Sequence, residues 1–279
     1  MTIRIVTDST CDLPAELVSQ LGIIVIPMYI SIGEQSFRDG VDITRRDFYA
    51  NLPKYEHHPT TGVPGLEQFK RAYQTAVDGG ASQVLSIHVS ESLSAVVDVA
   101  RAAAADFTAA PVTVHDSQQL SLGAGFQVEQ AARMAARGAS MAEIIPALED
   151  LAARTYVAAG LDSLEFLRRS GRMNAIMTGL GSLIQLKPIL TMFQGRPDSE
   201  RVRTVAKAQA RLVAMLAERE PFERFAFLHA NALQKIEELR GLIAPMLQEP
   251  QVLTVDITPV IGAHIGPGAY GYTIVSKSH

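Results

Sequence analysis

The first half of the chain alternates strand-length apolar runs with segments whose apolar residues recur at helical spacing, and few architectures accept that order. Residues 3–6, 23–26, 84–89 and 112–115 read as strands, and residues 14–21, 66–77, 93–105 and 125–136 read as helices. Alternation of this kind argues for a parallel sheet covered by helices. Asp12 is placed to cap the first helix and Gly22 to end it. Ser140 and Glu143 have the spacing of a capping box for a helix running toward Ala153. A hairpin is expected between Tyr29 and Arg38 around Gly33, so this half is not purely doubly wound.

Beyond Arg154 the texture changes. Strand-like runs at 156–159, 188–192, 201–205, 225–228, 253–257 and 272–275 accompany two helical stretches, 207–217 and 233–246. The expectation is an α/β protein of two domains: residues 1–155 as a Rossmann-like parallel sheet with helices, and residues 156–279 as an α+β domain. A chain of 279 residues has the length for that division.

Charge narrows the function. The net charge is -4 and the Lys and Arg residues are scattered rather than massed into a stripe, which argues against a nucleic-acid partner. One cysteine, Cys11, cannot form an internal disulfide and reads as a small packed residue. The N-terminus lacks the basic-then-apolar pattern of a secretory signal, so a cytoplasmic location is expected. No apolar run approaches the roughly 18 to 20 residues that cross a bilayer. Residues 53–64 read as an exposed loop, and its adjacent His57 and His58 lack a second ligand pair at metal spacing.

Short polar clusters fall at the ends of the apolar runs. Thr7-Asp8-Ser9 follows the first, and Thr60-Thr61-Gly62-Val63-Pro64 precedes a helix. Ser90-Glu91-Ser92-Leu93-Ser94 comes next, then Asp116-Ser117 with Ser121 and Gly123-Ala124-Gly125. Leu164-Glu165-Phe166-Leu167-Arg168-Arg169-Ser170-Gly171-Arg172, Lys187-Pro188-Ile189-Leu190 and Arg203-Thr204 follow. Near the C-terminus, Gly262, Gly266, Gly268 and Gly271 surround His264. That stretch reads either as a tight turn before the last strand or as a loop that lets backbone approach a ligand. Ligands of open α/β sheets gather beyond the carboxyl ends of the strands, where Thr61 and Ser94 fall, yet both are equally placed to cap the helices that follow. Asp8 and Asp116 read as loop-orienting residues through Asx-type hydrogen bonds. Arg172, taken alone, is a cation at the end of a short helix.

Taken in this order, the clusters resemble the DegV family, bacterial fatty-acid-binding proteins that serve a fatty acid kinase. The resemblance runs from Ile3 to nearly the last residue. It departs at Thr61-Gly62-Val63-Pro64, where the family has Thr-Ser-Gln-Pro, and at Leu93-Ser94-Ala95-Val96, where it has Leu-Ser-Gly-Thr. Ser170 replaces the first glycine of the family's Gly-Gly-Arg. The resemblance implies a long-chain fatty acid lying between two domains, its carboxylate held by Thr61, Ser94 and His264. It implies Arg172 as a contact to the kinase or to the acyl phosphate, an ATP-dependent fatty acid kinase as partner, and no cofactor beyond the bound fatty acid. The chain would then be a carrier rather than an enzyme, feeding phospholipid synthesis with at most transient contact to a membrane surface.

Two hydroxyls and an imidazole N–H all donate to a carboxylate without a fixed full charge. They leave its oxygens freer to attack phosphorus than a bidentate arginine would. Affinity must come from the tail: at roughly 0.8 kcal/mol per methylene, about fifteen carbons offer on the order of 10 kcal/mol before binding costs. An apolar tunnel is required, with candidate lining in residues 23–32 and 177–190. The competing expectation is a lipid hydrolase or acyltransferase using Ser94 or Thr61 with His264 as base. Against it, Gly-x-Ser-x-Gly is absent. A nucleotide or sugar-phosphate binder would need a phosphate loop, and the chain has neither a Walker A pattern nor a dinucleotide fingerprint after a strand.

Overall fold

A computed structural model of the chain describes residues 2–173, 186–247 and 252–278. Strand β1 (Ile3–Asp8) is buried along nearly its whole length, as a strand covered on both faces must be. It lies between β2 (Ile24–Ile26) and β6 (Gln83–His88), with β7 (Val112–Asp116) beyond β6. All four are parallel, in the order β2-β1-β6-β7. Helix α1 (Ala15–Gln20) links β1 to β2, and Gly22 follows it in the left-handed region. Helix α3 (Leu66–Asp78) buries Phe69, Ala72, Tyr73 and Ala76, one stripe at helical spacing. It packs beside α4 (Val96–Ala105), while α5 (Leu122–Ala136) lies on β1 and β6. The hairpin β3 (Tyr29–Ile32) and β4 (Gln35–Arg38) turns at Gly33 and takes β5 (Thr60–Gly62) as a third antiparallel strand.

Helix α6 (Met141–Arg154) opens on the Ser140 and Glu143 capping box and leads into β8 (Thr155–Gly160). With β9 (Lys187–Phe193), β10 (Arg196–Val202), β11 (Phe222–His229), β12 (Leu253–Asp256) and β13 (Tyr270–Ser276) it forms a second, mixed sheet. Its order is β10-β9-β8-β13-β11-β12, antiparallel except for the β11–β12 pair. Helices α8 (Val205–Ala217) and α9 (Leu233–Ile243) cover one face, packing Leu212, Leu216, Ile236 and Leu239 against Phe227 and Tyr272. The remaining core is continuous between the sheets and holds Val157, Leu228 and Val275 together with Ile5, Leu85, Phe126 and Leu148. Two sheets of different texture thus share one interior. Gly271 of β13 lies so close to β8 that a Cβ there would stand 2.0 Å from the Ala158 carbonyl oxygen.

Several local expectations are corrected. Asp12 does not cap α1, whose N-cap is Pro14. Asp12 instead ends a 3-10 turn at φ 54, and its carboxylate is taken up by Ser121, Thr258 and Arg45. The run at 201–205 is strand only to Val202, because Thr204 caps α8 by accepting from Lys207 N. The second long helix ends at Ile243, with a 3-10 turn from Ala244 to Met246. The loop at 53–64 contains β5, held by its pairing with β3. The glycine-rich stretch begins as a helix, α10 (Pro259–Ile265), and only then turns through Gly266 and Gly268 at positive φ.

Candidate functional site

A cavity of about 160 Å³ lies between the two sheets, roughly ten times the space one water needs. Its wall is mostly apolar and includes Met28, Val157, Leu161, Leu190, Met192 and Ile261. Thr61, Ser94, His264 and Arg172 all line it, so residues far apart in sequence meet in one place. Of the candidate tunnel segments, Met28 and Leu190 reach the wall, and positions 177–185 lie outside the described residues. Thr10 and Thr191 also line the cavity, which their isolated hydroxyls gave no way to foresee.

Thr61 sits in β5 opposite Ile30, and its Oγ1 is 2.9 Å from His264 Nε2. It caps no helix: α3 starts at Gly65 without a side-chain cap. Ser94 stands in a tight turn in which Leu93 N and Ser94 N both donate to the Ser90 carbonyl, at 3.0 and 3.2 Å. The N-cap of α4 is Ala95, so Ser94 has no capping role either. Arg172 is exposed just beyond α7 (Glu165–Arg169), where its guanidinium donates to the Ser170 carbonyl at 3.1 Å.

Burial, together with the positive charges of Arg172 and His58, pushes the His264 imidazole down to about 4. The ring is therefore neutral at pH 7, with one nitrogen a donor and the other an acceptor. Nε2 faces Thr61, while Nδ1 is buried with no hydrogen-bond partner. The His264 imidazole resonances in NMR should titrate near pH 4; a midpoint near the ordinary 6.5 would contradict this environment.

Gly262 explains how α10 approaches so closely. A Cβ there would stand 2.2 Å from the Tyr49 hydroxyl, and Tyr49, on α2 (Arg45–Asn51), donates from that hydroxyl to the Ile257 carbonyl at 3.2 Å. Gly262→Ala should cost about 1–3 kcal/mol in urea unfolding through overpacking. Adding Tyr49→Phe should recover part of that loss, because the clashing oxygen is gone.

His58 is not a solvated loop residue. Its ring lies 5.3 Å from that of Phe166, and its Nε2 is buried without a partner. Among the described residues no group of His, Cys, Asp or Glu is arranged to hold a metal ion. Asp8 and Asp116 orient loops: Asp8 accepts from Thr10 N and Val89 N, and Asp116 from Gln118 N. Burial alone would raise Asp8, but the hydrogen bond and charge of His88, with Thr10, bring it below the ordinary carboxylate range. Cys11 is buried and its thiol is pushed up to about 12 by desolvation, which leaves it inert at neutral pH.

These features define a two-domain α/β protein, a parallel and a mixed sheet enclosing an apolar cavity with one polar side. The chain belongs to the DegV family, whose family model, described as uncharacterised protein, matches residues 2–277. A DegV domain-containing protein of Deinococcus radiodurans is 35% identical over 284 residues, covering 98% of each chain. Among solved structures, a fatty-acid-binding DegV family protein of Thermus thermophilus superposes with a TM-score of 0.89 at 36% identity, covering 99% of this chain and 100% of that one. DegV of Bacillus subtilis, a fatty acid binding protein, gives 0.88 at 30% identity with the same coverage.

Proposed function

We propose that the chain is a fatty-acid-binding carrier that encloses a long-chain fatty acid in the cavity and turns its carboxylate toward Thr61, Ser94 and His264. The observation that carries this reading is the meeting of two hydroxyls and a neutral imidazole on the wall of an otherwise mostly apolar cavity. Fatty-acid binding by the Thermus thermophilus and Bacillus subtilis relatives supports it. If Thr61 donates to Nε2, the orphan Nδ1 carries the proton and is the donor left for the carboxylate.

On this reading a separate ATP-dependent kinase phosphorylates the presented carboxylate, and the acyl phosphate serves phospholipid synthesis. Arg172, exposed at the cavity rim, contacts the kinase or the acyl phosphate. Residues 1–155 and 156–279 act as the two domains on either side of the ligand. The protein works in the cytoplasm without a cofactor and touches a membrane surface only transiently. Among the described residues no helix is long and apolar enough to cross a membrane.

Native mass spectrometry followed by denaturing extraction tests the first step. One co-purified long-chain fatty acid is expected, and an unchanged mass after incubation with palmitate would remove the reading. A carboxylate beside His264 also favours the imidazolium. Adding palmitate should therefore move the His264 NMR midpoint upward from about 4, and an unmoved midpoint would take His264 out of the head-group site.

A lipid hydrolase or acyltransferase remains the second reading, favoured by the 2.9 Å contact between Thr61 and His264. An imidazole at about 4 is poorly matched to general base work at neutral pH. No described residue bonds Nδ1 to orient the ring. An Asp–His–Ser series does exist, with Asp8 2.9 Å from His88 and His88 2.6 Å from Ser86. All three are at most 1% exposed and none lines the cavity, so substrate has no route to them. Labelling of Thr61 or Ser94 by a fluorophosphonate would revive the enzyme.

A further inference from the structure

Helix α10 carries His264, and the three residues that lead into it are held by groups more than 200 positions earlier. Arg45 donates to the Asp256 carbonyl and Tyr49 to the Ile257 carbonyl. Thr258 N donates to Asp12 Oδ1 at 2.8 Å, and Thr258 Oγ1 donates to Asp39 Oδ2. Asp12 is itself fixed by Ser121 Oγ at 2.6 Å and by Arg45 at 3.0 Å. Thr258, Asp12 and Asp39 are all 5% exposed or less.

An N-cap threonine needs only its own hydroxyl to cap, and here that oxygen already accepts from Val260 N. Two further buried carboxylates are an expensive addition if stability is all they serve, since desolvating carboxylates is costly. Burial shows its effect at Asp12, pushed up to about 6 despite Arg45, Ser121 and Thr258. What a fully bonded buried polar cluster does supply is a single allowed arrangement. His264 lies six residues beyond Thr258, roughly 9 Å along the helix axis. A tilt of about 10° at the N-cap would therefore move the imidazole by roughly 1.5 Å, enough to break its contact with Thr61.

We infer that Asp12, Asp39 and Thr258 are positioning residues for ligand recognition: they latch the start of α10 so that His264 stays within hydrogen-bond reach of Thr61. The inference rests on the carrier reading for its ligand, but not for its geometry. Both ends of the helix are tied to the same N-terminal half, the start by the latch and the imidazole by Thr61 on β5. The latch touches no cavity wall, since Asp12, Asp39 and Thr258 are absent from the lining. Its effect must pass through α10.

The test compares Thr258→Val, which removes the hydroxyl at nearly constant shape, with Thr258→Ser, which keeps it. Affinities for palmitate and for hexadecanol are measured on each variant, and His264 is titrated by NMR without ligand. Thr258→Val should weaken palmitate at least tenfold with hexadecanol within about twofold, while Thr258→Ser keeps the wild-type ratio. In the same variant the His264 midpoint should rise from about 4 toward the ordinary 6.5 as the ring leaves its buried seat. Equal loss of both ligands, or an unmoved midpoint, would overturn the latch. If wild-type protein binds neither ligand the carrier reading fails, and the midpoint alone decides the latch. Should Thr258→Val not fold, Ser121→Ala strips a hydrogen bond from Asp12 while leaving Thr258 intact, and it is read by the same two measurements.

Discussion

Gly271→Ala is expected to lower the thermal midpoint by roughly 6–12 °C, from an overpacking loss of about 3 kcal/mol or more in a chain of this size. The alanine Cβ would stand 2.0 Å from the Ala158 carbonyl oxygen and 2.6 Å from Ala159 Cα. Both are backbone, so no side-chain rotation relieves the contact. The β8–β13 pairing, which sets Tyr270 opposite Gly160 and Val275 opposite Thr155, must open locally. Differential scanning calorimetry checks the shift. A midpoint within 2 °C of wild type would mean that the two strands tolerate a wider spacing than their mostly buried side chains indicate.

His264→Ala should weaken palmitate binding by about 10- to 100-fold, as expected for losing a hydrogen bond of about 1.5–3 kcal/mol to a charged group. Hexadecanol binding should change little, because the apolar wall formed by Met28, Val157, Leu190 and Met192 is untouched. His264 is partly buried at the C-terminal turn of α10, so folding stability should move less than acid affinity. Fluorescent-ligand displacement with both compounds separates head from tail. Equal affinity of wild type and variant for palmitate would place the carboxylate away from His264.

The parallel sheet was legible because β1 and β6 are buried along nearly their whole length and read as strand-length runs rich in apolar residues. Capping chemistry located the start of α6 for the same local reason. What escaped was decided by partners distant in sequence. Thr60, Thr61 and Gly62 become a strand only because Tyr29, Ile30 and Ser31 lie beside them. Pro259, Val260, Ile261 and Gly262 become helix although glycine is a poor helix former, since only a residue without Cβ fits against Tyr49. Asp12 looked like a cap by spacing alone, yet Thr258 and Arg45 claim its carboxylate. The meeting of Thr61 with His264 is likewise a product of assembly, and no local signal in either stretch states that they touch.

The position of β13 has a consequence for the protein as it is made. This strand, residues 270–276, is an interior member of the mixed sheet, inserted between β8 and β11. A nascent chain has completed the parallel sheet once residue 116 has emerged, but β8 and β11 must then wait with open edges until residues 270–276 have emerged as well. Open strand edges invite pairing with other chains, and such partly built species are the ones prone to aggregate. The cavity inherits the same delay, since its wall draws on β8 and on α10 as well as on the first strands. On the proposed carrier reading, loading therefore follows the addition of α10 and β13 and cannot begin on the first sheet alone.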